Sequence, residues 1–106
     1  MTTIRVIRSA NSFTVIADGH ACAPRNEDGR DLVCCSISCL MTTLANSCAQ
    51  LDGVQTIYKT TSGMAELYVS NTLADPAGID ARLQMAVDGL TGLAQQYPQS
   101  IRMTVE

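Results

Sequence analysis

The sequence predicts an α+β fold: one five-stranded mixed sheet carrying two helices, in the order β-β-α-β-β-α-β. Three observations carry this expectation. Short runs near both ends and in the middle carry the alternation and β-branched content of half-exposed strands. Two longer stretches repeat apolar residues at steps of three and four, the spacing of a helix packed on one side. The chain has 106 residues, 46% hydrophobic and 16% charged, which suits one packed core and leaves no room for a second. A helix layer on a sheet is the natural two-layer solution, and a single domain over residues 1–106 is expected.

The elements follow in order. "TIRVIRS", Thr3 to Ser9, sets Ile4 and Val6 against Arg5. "SFTVIADG", Ser12 to Gly19, places Phe13, Val15 and Ala17 at period two, and "SANS" between them reads as a hairpin turn. A polar loop, "HACAPRNEDGR", comes next. Asp31 then fits the N-cap of a helix whose stripe is Val33, Ile37, Leu40, Leu44 and Cys48, closed by Asp52 and Gly53. "VQTIYKT" and "GMAELYVSN" read as a second hairpin around "TTSG". Pro76 suits the first turn of a second helix. Ile79, Leu83, Ala86, Leu90, Leu93 and Tyr97 follow at helical spacing, and Pro98 stops it. "IRMTVE" alternates again, with Ile101, Met103 and Val105 expected inward.

Composition narrows the function. The net charge is -3 and the seven Lys and Arg do not cluster, so a nucleic-acid partner is not expected. Five cysteines, none in a CxxC pair, argue against a disulfide framework, and no signal-like apolar segment follows the start. Reduced thiols in a cytoplasm are expected. Leu32 to Leu51 carries no charge and approaches the length of a membrane span. Its seven polar side chains, from Ser36 to Gln50, are too many for lipid, so a buried helix or one covered by a partner subunit is expected instead.

The chemistry concentrates between Asp18 and Leu40. With Asp31 as N-cap, Cys34 is the third helical residue, at the positive end of the helix dipole. That setting favours thiolate and can stabilise an oxyanion. His20, the single histidine, ends the preceding strand and offers a general base. A cysteine at this place can also be a small residue packing at the core edge. Cys35 is turned about 100° from Cys34 around the helix and is the competing nucleophile. Cys39 and Cys48 are read as packing residues and Cys22 as an incidental loop thiol. His20, Cys22, Cys34 and Cys35 also form a conceivable zinc set, but adjacent cysteines diverge; no metal and no cofactor is expected. Asp31 either orients the imidazole or only caps the helix. Asp18 is a second possible orienter, two residues before His20. Gly19 and Gly29 read as backbone requirements, and Gly19 either leaves space for a peptide or simply turns the chain.

"DGHA", a short loop with a glycine, and "GRDLVCCSISCL" together resemble the ribosomal-processing cysteine protease family, Prp. The family pattern is a G-H-A run, a loop, and a helix opening with D-[IV]-V-C followed by small residues. Gly19, His20 and Ala21 match the first part; Asp31, Val33 and Cys34 match the second, with Leu32 a conservative variant. Ser36 and Ser38 fit the small-residue tract, while Cys35 and Cys39 depart from it. The resemblance implies a cysteine endopeptidase that removes an N-terminal extension from a bacterial large-subunit ribosomal protein, or cleaves a related phage structural protein. It implies Cys34 as nucleophile, His20 as base, and the loop from Ala21 to Arg30, with Gly29, as a cover over bound peptide. It also implies a homodimer. A non-catalytic ribosome-assembly or peptide-binding module on the same fold is the alternative, distinguished by an unreactive Cys34.

Overall fold

The computed structural model describes residues 1–19 and 32–106. Alternation builds the first hairpin, β1 (Thr2–Ser9) and β2 (Ser12–Asp18), with Ile4 opposite Ala17 and Val6 opposite Val15. β3 (Gln55–Thr61) and β4 (Met64–Ser70) form the second, and β5 (Ile101–Val105) closes the chain. The helices are α1 (Leu32–Ala49) and α2 (Pro76–Gln96), the latter entered through a short 3-10 turn at Thr72–Ala74. The sheet order is β3-β4-β2-β1-β5. β5 runs parallel to β1 and every other neighbouring pair is antiparallel. The five-stranded mixed sheet and the order β-β-α-β-β-α-β are those expected from the sequence.

Period-two burial places Ile4, Val6, Phe13, Val15, Leu67, Val69 and Ile101 in one core under the helices. The α1 stripe in that core is Val33, Ile37, Met41, Leu44, Ala45 and Cys48. Leu40, expected in this stripe, is half-buried and faces α2 instead. Gly89 makes that approach possible: a Cβ there would stand 3.0 Å from a Leu40 methyl. In α2, Ile79, Leu83, Ala86 and Leu90 are buried, with Leu93 and Tyr97 packed on the core margin. The start of α2 is capped within the chain, since the Asp75 carboxylate accepts the Gly78 N–H at 3.0 Å and Pro76 occupies the first turn.

Three further expectations change. Val105 is 57% exposed rather than inward, because it stands at the rim, where α2 gives only partial cover beside Ala94 and Gln95. Met103 is only half-buried, against Thr91. Cys39 is exposed rather than packed, because it lies on the side of α1 opposite the core stripe. α1 has the length and apolar composition of a membrane span, with 33% of that stretch buried, and its stripe packs on the sheet. On the sheet face away from the helix layer, Ile57, Met64 and Tyr68 are exposed.

Candidate active site

The end of β2 is fixed from two sides. The Gly19 N–H donates to the Gly63 carbonyl at 2.6 Å, and Thr2 Oγ1 donates to the Gly19 carbonyl at 3.0 Å. Gly19 has φ +97°, and a Cβ there would stand 2.5 Å from the Met1 carbonyl oxygen. A side chain at this position would meet both backbone strain and the main chain of β1. Glycine here thus answers to the close approach of β1, and the direction a side chain would take is filled by protein. The chain leaves this stapled strand end directly into His20. His20, Ala21, Cys22, Gly29 and Asp31 lie outside the described residues.

Cys34 is the third residue of α1, as the N-cap argument placed it, and is half-buried. It lines a cavity of about 340 Å³ under the first two turns of α1. Ile37 and Ser38 continue the wall on the helix, Ala17 and Gly19 form it on β2, and Thr2 closes one side. The opposite wall is the tip of the β3–β4 hairpin, Thr60 to Ala65. Gly63, with φ +81°, makes that tip a two-residue turn. No described residue lining the cavity carries a charge. Cys34 stands in the first turn of α1, at the positive end of the helix dipole. Such a setting favours thiolate.

The described cysteines separate cleanly. Cys34 is the one that lines the cavity. Cys35 and Cys39 are exposed, one turn apart, in an open groove on the outside of α1 that reaches the cavity through Cys34 and Ser38. Cys48 is fully buried; burial pushes its thiol pKa up, and the Arg82 charge offsets part of that rise. Asp18 is exposed and projects from the opposite sheet face to Ala17, away from α1. Among the described residues no three His, Cys, Asp or Glu groups gather in a metal-binding arrangement. Thr2 and the hairpin tip join the site only through the fold; their one local signal is the hydroxyl-rich "TTSG" turn.

The family model of the cysteine protease Prp matches residues 1–102. The chain belongs to the Prp family. It is therefore a cysteine peptidase. Its fold is that of the ribosomal processing protease Prp from S. aureus in complex with a covalently linked product peptide, at a TM-score of 0.76 and 20% identity, covering 100% of both chains. The same protease in complex with a substrate peptide superposes at a TM-score of 0.72 and 19% identity, again over 100% of both chains. SMU.848 from Streptococcus mutans gives a TM-score of 0.72 at 22% identity, over 99% of this chain and 93% of that one. Comparison with curated proteins gives no match. As a Prp-family peptidase, the chain places its first-turn cysteine at a cavity whose described lining carries no charge.

Proposed function

We propose that this Prp-family chain, one domain over residues 1–106, removes an N-terminal extension from a bacterial large-subunit ribosomal protein, or cleaves a related phage structural protein. The observation that carries the reading is Cys34 on the third position of α1, opening into the cavity between α1, β2 and the β3–β4 hairpin tip. Support for the substrate class comes from the S. aureus ribosomal processing protease with its bound peptides. The thiolate of Cys34 attacks the scissile carbonyl carbon, and the amide-rich N-terminal end of α1 stabilises the oxyanion. As the tetrahedral adduct collapses, the His20 imidazolium gives its proton to the departing amine and a thioester remains. His20 then takes a proton from water, which attacks the thioester, releasing the carboxylate and regenerating the thiolate. Asp31 caps α1, and Asp18, on the outer sheet face, takes no part in the steps. The loop containing Ala21 and Gly29 covers bound peptide.

A cytoplasmic location is part of the proposal, and reduced thiols and a ribosomal substrate both suit it. The protein acts as a homodimer through the exposed, uncharged side of α1, which presents Leu32, Cys35, Cys39, Thr42 and Asn46. The test is iodoacetamide alkylation against pH, mapped by mass spectrometry, in wild type and His20→Ala. Cys34 should react well below the usual thiol pKa of about 8.5 and lose that advantage without His20. Reaction of Cys34 no faster than Cys35, and indifferent to His20, would sink the mechanism and favour a peptide-binding module.

A further inference from the structure

Among the described residues nothing pairs with the outer edge of β3, and that edge ends at the cavity. β3 is an outer strand of seven residues with no proline and one charge, Lys59. An outer strand of this length, with no proline and little charge, is a template for another strand. The hydrogen-bond parity of β3 can be derived. The Gly63 carbonyl accepts from Gly19, so the odd-numbered residues at this end of β4 bond toward β2 and the even-numbered ones toward β3. Met64, Glu66, Tyr68 and Ser70 stand opposite Thr61, Lys59, Ile57 and Gln55. Those β3 residues therefore direct their main-chain groups to β4. Thr56, Tyr58 and Thr60 direct theirs to the open edge, and among the described residues no hydrogen bond reaches them.

Two further observations connect this edge to the chemistry. Thr60 and Thr61, the last residues of β3, line the cavity with Cys34. Halfway along, the Tyr58 hydroxyl lies 3.3 Å from Thr42 Oγ1, which ties β3 to the same side of α1 that carries Ser38. The other edge strand, β5, contributes no residue to the cavity.

We infer that the peptide substrate adds to the free edge of β3 as a sixth strand, bonded to the main chain of Thr56, Tyr58 and Thr60, and delivers its scissile bond past Thr60 to Cys34. The inference rests on the peptidase reading above and specifies how that site holds its substrate. Main-chain pairing supplies affinity without regard to sequence, and the cavity beside Cys34 selects the residue next to the cleaved bond. The ligand class is an extended peptide with no proline at the alternate positions that bond to β3.

The test uses peptides spanning the N-terminal segment of the ribosomal protein precursor, with the cleaved bond located by mass spectrometry. N-methylation is then moved one residue at a time along the segment that lies on β3. kcat/KM should fall at every second position by about tenfold, the size of one lost hydrogen bond, and hold between them. In a Cys34→Ala variant saturated with the same uncleaved peptide, amide exchange followed by NMR should slow at Thr56, Tyr58 and Thr60. It should not change at Ile57 and Lys59, which already bond β4. Thr56→Pro, remote from the cavity, should raise KM for the long peptide while leaving iodoacetamide alkylation of Cys34 unchanged. Cleavage with a flat methylation scan and unaltered exchange at the three edge residues overturns strand addition and leaves the peptidase reading standing. Failure to cleave any of the peptides overturns both.

Discussion

The two helices lie side by side on one sheet and serve different ends. α2 is complete within its own sequence: Asp75 caps it, Tyr97 closes it by donating to the Leu93 carbonyl, and Asp80 and Asp88 face solvent. α1 carries no charge at all, exposes Cys35, Cys39, Thr42 and Asn46, and opens its N-terminal end into the cavity. The difference teaches that a helix charged on its outer side and capped at its start is a structural part. One left uncharged, with a thiol in its first turn, has work for its outer side and for its end.

The comparison breaks most sharply at the thiol. Cys34→Ala should abolish peptide cleavage, by at least about 10³-fold in kcat/KM, with the fold intact by circular dichroism. His20→Ala should approach the same loss. Substitutions on the outer side of α2, such as Gln84→Ala, should leave kcat/KM unchanged, and a large loss there would erase the distinction between the helices. The outer side of α1 gives the next effect. Cys39→Arg places a charge on that uncharged side and should convert a homodimer to monomer in light-scattering chromatography. A chain that is monomeric before the substitution would remove the dimer from the proposal.

The smaller effects concern stability alone. Asp75→Ala removes the cap of α2 and should cost about 1 kcal/mol in urea unfolding without changing activity per folded molecule. Gly92→Ala, where nothing stands within 4 Å of the added Cβ in the exposed interior of α2, should stabilise by about 0.5–1 kcal/mol. Gly89→Ala should gain less or lose, because Leu40 occupies the space. Last, Cys48 should make stability pH-dependent at the alkaline end. Its folded pKa is raised above the ordinary thiol value, mainly by burial, so the buried thiol holds its proton after the unfolded one has lost it. Stability is therefore full below the unfolded pKa and falls as pH rises from there through the folded value. Cys48→Val should flatten that limb in a urea series measured across it.

Much of the site's ancestry was legible in linear order. Asp31 to Cys34 and Gly19 to Ala21 are local patterns, and a first-turn cysteine is a consequence of helix numbering. The hairpin tip was not legible as part of the site. Thr60 to Ala65 reach Cys34 only because β4 pairs with β2 and carries β3 beside it, a choice among strand neighbours that no local period encodes. Leu40 and Met41 exchanged roles for a similar reason: which side of α1 meets the sheet depends on how closely α2 can approach at Gly89.

By itself the sequence determined the element order, the periods that build one core, the start and stop of α2 at Pro76 and Pro98, and the thiol at the start of α1. These follow from interactions within a few residues of chain. The tertiary structure alone decided that Cys34, among the described cysteines, meets the cavity. It likewise decided that Gly19 is held by Thr2 of β1 and by Gly63 in the β3–β4 turn, and that the outer edge of β3 runs to the same place. Each of these joins residues far apart in sequence, and strand pairing and helix packing set such distances only once the whole sheet is assembled.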